Sequence, residues 1–592
     1  MQAATQPSRL VAPAFLLLAV AATYATSLGV PFVFDDKPTL LINESIKSLA
    51  TAWVPQTGGL TTSGRPLLNL SFALNYAVSG TSVWSYHVLN VLIHAAAAVT
   101  LLGILRRSPG VTAPAAFVGA LLWAVHPLQT ESVTYLVQRA ESLAGLFYLL
   151  TLLGFIRWAE ASAGGSAWKY LSLAACALGM TTKEILVTAP VVILLFDRTL
   201  LSGSFREALT RRTSYYFALA LTWSIQVFLV LRTGTRGGTS GFGVGVGVWQ
   251  YSQTQFRAIC RYLRLAVAPH PLVIDYGVQW EKSLLPVIGF GLVVALLVGL
   301  TLYALTRPVG SRLRAVGFAG AWFFLLLAPT SLIPGTRQTM AEHRMYLPLA
   351  AVTILAAVAG ARVLGRAFLA VALAVAALLV VLTLRRNHIY ENEATLWADT
   401  VIHVPQNAYA WNNLGVELEE AGYAPQAKAA YQHAADLNPK LAAASNNLGD
   451  LALAAGNPSE AISYYQQAIR SKPDYFNPHY SLGGIFLHLG RMPEAAAQFQ
   501  ACLKIQPGFA GAELGWGDAL AGEGSYPEAE QHLRAALAIA PRLSLAYNDL
   551  GNVLLAQNRV KEAIAMYERA LAIDPKYALA RSNRELARAK LR

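Results

Sequence analysis

Between residues 11 and 384 the chain is a succession of apolar runs, and that pattern leaves few folds open. Hydrocarbon offers no water to a backbone N–H or C=O, so a segment that crosses it must be a helix or a strand of a closed barrel. The runs are continuous rather than alternating, which selects helices. About eleven are read, at residues 11–30, 86–105, 113–130, 140–157, 168–182, 185–197, 213–232, 284–305, 315–333, 346–362 and 367–384. The fifth and sixth are short and share the turn Thr181-Thr182-Lys183-Glu184. With 592 residues, 55% of them hydrophobic, the class is integral membrane protein. The first run has no A-x-A-like cleavage site leading into soluble sequence, so it reads as a retained anchor. Residues 249–268 carry Arg257, Arg261 and Arg264 at helical spacing and read as an amphipathic interfacial helix.

Charge divides the chain. Residues 1–390 hold 29 Lys and Arg against 12 Asp and Glu, whereas residues 391–592 hold 17 against 21. The basic excess sits in alternate short loops: Arg106-Arg107, Arg157 with Lys169, Arg198 through Arg212, Arg307 through Arg314, and Arg362 with Arg366. The positive-inside rule makes these loops and the N-terminus cytoplasmic, and the excess reads as topology rather than nucleic-acid binding. The remaining loops, and after an odd number of spans the C-terminal part, are then expected outside. Nine of the twelve acids of the membrane half fall on or near that side. The three cysteines, Cys176, Cys260 and Cys502, are far apart with no CxxC, so neither a disulfide framework nor a zinc site is indicated.

The C-terminal third is an internal repeat. Pro405, Pro439, Pro473, Pro507, Pro541 and Pro575 recur every 34 residues. In phase run Gly415, Gly449, Gly483, Gly517 and Gly551, then Ala427, Ala461, Ala495, Ala529 and Ala563, then Tyr431, Tyr465, Phe499, Leu533 and Tyr567. Small residues let paired helices approach, large ones fill between them, and proline ends the second helix. This is the tetratricopeptide pattern. Five repeats are expected over 408–577, with half a repeat at 391–407 and a polar capping helix at 578–592. The fold class expected is all-α: a polytopic membrane helix bundle (1–390) followed by a tetratricopeptide-repeat solenoid (391–592).

Four polar clusters in the membrane half are candidates for chemistry. The first contains Asp35-Asp36 and Arg65, followed by His87, Asn90 and His94 at helical spacing. The second is His126-Pro127-Leu128-Gln129-Thr130-Glu131, with Arg139 and Glu141. The third is Lys183-Glu184, and the fourth is Glu342-His343-Arg344-Met345-Tyr346-Leu347-Pro348. All map to one face of the membrane, which is more than topology requires. The bland readings are a solvated turn or helix cap for the Asp pair, helix-to-helix hydrogen bonds for His87, Asn90 and His94, a span terminus for His126-Pro127, a paired turn for Lys183-Glu184, and an interfacial anchor for Arg344. The glycine-rich stretch 234–247 lacks a GK[ST] ending and reads as a lid or linker rather than a phosphate loop.

The Asp pair after the first span, the R-P-L, H-P-x-x-T-E, K-E and E-x-R-x-Y-L-P motifs, and the repeats together resemble the transmembrane and tetratricopeptide-repeat (TMTC) family of O-mannosyltransferases. The sparse cysteine and Ala/Leu/Gly-rich composition point to a prokaryotic relative. The resemblance implies a GT-C-like membrane domain that takes a sugar, mannose in that family, from a polyprenyl-phosphate donor. The acceptor would be a Ser or Thr hydroxyl of an exported polypeptide, transferred to with inversion. The repeats would lie in the periplasm of a bacterial inner membrane, or in the lumen of the endoplasmic reticulum. The hydroxyl needs a carboxylate to take its proton. By analogy Asp35 is that base and Asp36 its support. Arg139, Lys183 and Arg344 are the candidates for the donor phosphate, and Arg65, His87, His126, Glu131, Glu184 and His343 for sugar hydroxyls or for orienting those cations. A divalent metal bridging the Asp pair and the phosphate ranks below a metal-free site. In the repeats, Asn413 and Asn447 stand at equivalent positions and resemble an asparagine ladder that holds a peptide backbone. Ser481, Gly515 and Asp549 break it. Three alternatives stay open: transfer to lipid A or another envelope glycan, a surface-polysaccharide polymerase or ligase, and a non-catalytic membrane-anchored scaffold.

Overall fold

The computed structural model describes residues 10–55, 61–161, 165–233, 241, 245–281, 283–336 and 338–591. Among them the regular elements are all helical. The chain divides into two compact units, Met1–Pro405 and Gln406–Arg592.

Among the described residues of the first unit, seven helical stretches are long and apolar enough to cross a membrane: Val11–Gly29, Trp84–Leu105, Leu136–Glu160, Thr213–Thr233, Leu284–Leu305, Arg312–Leu332 and Gly365–Ile389. An eighth results if Glu184–Leu201 and Phe205–Arg211, bent by 107°, are one broken span. The eleven expected runs all contain helix, but fewer are spans. The run at 113–130 stops as Ala113–Ala124 because Pro127 cannot continue a helix and His126 caps the next short one. Its 12 residues reach ~18 Å, short of the ~30 Å hydrocarbon core. Leu349–Val363 has 15 residues and follows Pro348, and Ser166–Met180 also has 15. Ala113–Ala124 packs inside the bundle, whereas Ser166–Met180 buries one face only. Ala115, Ala116, Val118 and Ala120 of the first are buried, and Trp123 donates Nε1–H to the Tyr346 carbonyl at 2.7 Å. Val248–Val267 forms the expected amphipathic helix outside the set of spans.

The second unit shows why the 34-residue pattern works. Five helix pairs run from Ala408–Glu420 with Ala424–Leu437 to Ser544–Ala556 with Val560–Ile573, and Ala578–Ala589 follows as a cap. Each repeat glycine faces the large residue 16 positions on: a Cβ at Gly449 would stand 2.6 Å from Tyr465 Cε1, and one at Gly415 would stand 2.5 Å from Tyr431 Cδ1. The turn inside each pair has a left-handed residue, Gly422, Gly456, Gly490 and Gly524 in four repeats and Asn558 in the fifth. Glycine and asparagine tolerate that conformation best.

One expectation is corrected. Residues 391–407 are in register with the repeats, and the helix Glu393–His403 ends two residues before Pro405, as the repeat helices end before theirs. Yet it belongs to the first unit, and the division falls after Pro405 instead of after 390. The reason is local bonding. Lys37 pairs with Glu393 at 2.9 Å, Arg386 with Asp399 at 3.0 Å, and Phe34 stacks edge-on against Trp397 at 5.1 Å.

Candidate functional site

The four polar clusters converge at one end of the first unit, where the loops between helices bond to one another. Arg65, N-terminal to helix Pro66–Ser79, reaches Glu184 Oε2 at 3.1 Å. Lys183 reaches Glu141 Oε1 at 2.7 Å. Glu131 clasps residue 343 twice: Oε1 lies 2.7 Å from His343 Nδ1, and Oε2 accepts the His343 backbone N–H at 2.8 Å. Asp35 donates its backbone N–H to the Tyr135 hydroxyl at 3.1 Å. The electrostatic neighbours of His343 include Lys183, Glu141, Arg344 and Arg65, so these residues share one field.

Burial sets the protonation of this end. Glu131 is pushed above the usual carboxylate range by burial. His343 is held well below the usual imidazole range, by burial first and by Lys183 second. The pair therefore sits with a neutral imidazole, Nδ1 facing Glu131, and Nε2 has no partner among the described residues. Such an Nε2 can accept a hydroxyl proton or hydrogen bond.

The two aspartates have different surroundings. Asp36 is fully buried. Its Oδ2 accepts the Val33 N–H at 3.1 Å and its Oδ1 the Val137 N–H at 2.8 Å. Burial raises its pKa well above the ordinary value despite those bonds. It joins the loop after the first span to the start of the Arg139 helix. Asp35 is only half-buried. The preceding Phe34 has φ +46°, a left-handed conformation that costs on the order of 1 kcal/mol or more outside glycine. Phe34 is held there by its N–H bond to Glu393 Oε1 at 3.1 Å and by the Trp397 ring. Residue types alone gave no signal for Glu393, Trp397 or Tyr135. The first two lie in repeat register, and the third is one aromatic among many.

Several expected ligands are structural instead. Arg139 has no exposure. Its guanidinium donates to Asn90 Oδ1 at 2.5 Å, Asn75 Oδ1 at 2.7 Å, the Tyr86 carbonyl at 2.9 Å and the Ser71 carbonyl at 3.1 Å, and it stacks 4.4 Å over Phe72. With its donors engaged by two helices, Pro66–Ser79 and Trp84–Leu105, it is not placed to take a phosphate. His126 lies 3.2 Å from the Ala266 carbonyl through Nε2 and accepts the Leu128 N–H through Nδ1. His87 is buried against the Val30 carbonyl at 2.8 Å. His94 bridges the Tyr346 hydroxyl and the Ala124 carbonyl, both at 2.9 Å. Glu342 is buried too, accepting from the Val273 N–H at 2.6 Å and the Tyr276 hydroxyl at 2.8 Å.

Of the expected cations, Arg344 differs from the others. Its bonds are long and go to neutral acceptors: Thr339 O at 3.3 Å, Gln338 O at 3.4 Å and the Tyr251 hydroxyl at 3.4 Å. Among the described residues it has no carboxylate partner. The amphipathic helix Val248–Val267 supports this loop from below, through Gln255 to Thr339 O and Tyr262 to Ala341 O, both at 2.9 Å. No group of three or more His, Cys, Asp or Glu that could hold a metal occurs among the described residues. A metal bridging the Asp pair does not fit the donor set, because both Asp36 oxygens accept backbone N–H bonds. The glycine-rich stretch read as a lid or linker lies largely outside the described residues.

In the repeat unit, Asn447 donates to Asn412 Oδ1 at 3.2 Å, across neighbouring repeats. Asn413 accepts from Asn412 at 3.4 Å. The expected asparagine ladder is thus partly engaged between repeats. A separate cavity of about 480 Å³ is lined by Gly484, Gly511, Gly515, Tyr480 and Phe499. Asp518 lines it, its carboxyl pushed up to about 7 by burial and then by Asp549.

Fold and site together define an all-helical membrane protein with a polar cluster at one end of its bundle and a C-terminal repeat solenoid. The tetratricopeptide repeat family matches residues 412–476, 446–508 and 508–576. Protein O-mannosyl-transferase TMTC3 of Mus musculus is 26% identical over 471 residues, covering 71% of this chain and 50% of the relative. Protein O-mannosyl-transferase F38B6.6 of Caenorhabditis elegans is 25% identical, covering 70% and 61%. Protein O-mannosyl-transferase Tmtc2 of Drosophila melanogaster is 34% identical over 190 residues, covering 29% and 20%. The chain thus spans between a fifth and three fifths of the length of these relatives. Among solved structures, the tetratricopeptide-repeat protein YrrB, described as having an unusual peptide-binding site, is 21% identical with a TM-score of 0.30, covering 32% of this chain and 99% of that one. The chain is thus similar to TMTC-family proteins along about 70% of its length, at about a quarter identity.

Proposed function

We propose that this protein is a membrane glycosyltransferase that moves a sugar, mannose by the names of its relatives, from a polyprenyl-phosphate carrier to Ser or Thr hydroxyls of a polypeptide. The observation that carries the reading is a half-buried carboxylate, Asp35, at the end of the bundle where, among the described residues, Arg344 has no carboxylate partner and His343 Nε2 no hydrogen-bond partner. In a single displacement the acceptor oxygen forms a bond to the anomeric carbon as the bond from that carbon to the phosphate oxygen breaks. The hydroxyl proton passes to Asp35 and the electron pair leaves with the phosphate, so the anomeric configuration inverts. The charge developing on the phosphate is met by Arg344, with Lys183 and Arg65 adding to the local field. His343, held by Glu131, and Glu184 are placed to bind sugar hydroxyls. The repeat unit supplies helical grooves of the kind that hold extended polypeptides, including the cavity beside Tyr480. The polar end then faces the periplasm or the lumen.

The test supplies full-length protein with polyprenyl-phosphate sugars and panels of peptides and lipids, beside Asp35→Asn. Transfer to peptide that falls at least 100-fold in the variant, with an unchanged melting temperature, is the expected result. A variant as active as wild type removes Asp35 from the mechanism. Transfer to lipid alone assigns an envelope-glycan acceptor, and absence of transfer from every donor favours a scaffold.

A further inference from the structure

At the far end of the bundle from the polar cluster, the helices leave an apolar slot, a cavity of about 140 Å³. Leu105, Leu152, Phe196, Ala319, Trp322 and Ile354 wall it, and Arg312 and Arg362 are among its lining residues. The helix Leu349–Val363 shows the separation. It begins just after the His343–Arg344 loop and carries Arg362 at its other end, ~20 Å away at 1.5 Å per residue. The helix Arg139–Glu160 agrees: its first turn bears Glu141 of the polar cluster, and Leu149 and Leu152 further along reach the slot. The slot is therefore not part of the candidate transfer site.

Its chemistry is that of a lipid site. The walls are almost wholly aliphatic and aromatic. Both arginines are exposed, and among the described residues neither has an ion pair or hydrogen bond. Arg314, two residues on and so turned about 200° around the helix axis from Arg312, is different. It is buried and donates to the Arg198 and Gly203 carbonyls at 2.7 Å, so it fixes the helix ends while Arg312 stays available. Two exposed cations beside an apolar slot, at the end of the bundle where the basic loops gather, complement a phosphate attached to a hydrocarbon chain.

We propose that this slot binds an anionic glycerophospholipid, with an acyl chain between the helices and its phosphate held by Arg312 and Arg362. A zwitterionic lipid offers the same chain without the net charge. A polyprenyl phosphate offers the charge with a methyl-branched chain.

The experiment measures binding of phosphatidylglycerol, phosphatidylcholine of the same acyl chains, and undecaprenyl phosphate to the full-length protein, by mass spectrometry of the intact complex. Wild type is expected to prefer phosphatidylglycerol. The double variant Arg312→Ala/Arg362→Ala is expected to weaken that binding roughly ten- to thirtyfold and leave phosphatidylcholine unchanged. Ala315 also lines the slot, and Ala315→Trp, which fills it from that wall, is expected to weaken both phospholipids. Equal binding of the two phospholipids to wild type, or an unchanged double variant, overturns the proposal. So does a stronger, arginine-dependent preference for undecaprenyl phosphate. These readouts need no sugar transfer, so they stand or fall apart from the proposed activity.

Discussion

Asp36 accepts the Val33 and Val137 N–H groups at 3.1 and 2.8 Å, one on each carboxylate oxygen, while Asp35 stands half-buried one residue earlier. The sequence shows two adjacent carboxylates beside a membrane, and only by analogy makes Asp35 the base and Asp36 its support. Successive residues of an irregular loop can face different surroundings, and only the packing decides which side chain is enclosed. The same limit explains Arg139. An arginine near a cluster of acids reads as a phosphate ligand until Asn90, Asn75, Tyr86 and Ser71 are seen around it. Long-range bonds of this kind, with partners tens of residues away, leave no mark in local composition. Removing the Asp36 carboxyl tests its structural role. Asp36→Ala leaves two buried N–H groups without acceptors, at about 1–3 kcal/mol each. The full-length protein should lose several degrees in melting temperature in detergent, and Asp36→Asn, which keeps one carbonyl oxygen, should lose less. Arg344→Gln should leave the melting temperature close to wild type, because the bonds it loses are 3.3–3.4 Å long, and should lower transfer at saturating acceptor.

At the scale of elements, the helix Glu393–His403 is the part whose role changed most. Its register with the prolines is that of a repeat, and the repeats themselves were legible because a 34-residue period is a covalent regularity that survives without any knowledge of contacts. What the period does not carry is the choice of neighbour. Glu393 and Trp397 turn to the loop of Phe34 and hold it at φ +46°, which fixes the backbone next to Asp35. If that clamp positions the base, Trp397→Ala should lower kcat by tenfold or more with a smaller change in KM, since the aromatic does not meet substrate. Trp397→Phe should restore most of the rate, because an aromatic ring against Phe34 is retained. A variant that only destabilises the unit would lower the melting temperature without this difference between Ala and Phe in kcat. The short helices are a second lesson at this scale. Ala113–Ala124 reads as a span by composition, but His126-Pro127 cuts it to 12 residues, and a chain-termination signal outweighs hydropathy there.

For the whole molecule, the division after Pro405 makes a claim about where the chain can be cut. A boundary drawn from hydropathy falls near 390, where the last apolar run gives way to polar sequence. Physical cohesion runs 15 residues further, because the bonds from Glu393 to Lys37 and Phe34 and the contact between Trp397 and Phe34 close the end of the first unit that carries Asp35. Two truncations separate these boundaries. A protein ending at Pro405 keeps every bond of the first unit described above and should retain the melting behaviour of that unit. If transfer is its activity, it should still hydrolyse or transfer from the lipid donor to a short peptide at high concentration, with a raised KM for long acceptors because the repeats are gone. A protein ending at 390 lacks Glu393 and Trp397. It should melt lower and show little transfer even to short peptides, since Phe34 is no longer held in its left-handed conformation. Equal stability and activity of the two truncations would show that the Glu393–His403 helix is dispensable to the first unit, and that the loop of Asp35 is ordered by the spans alone.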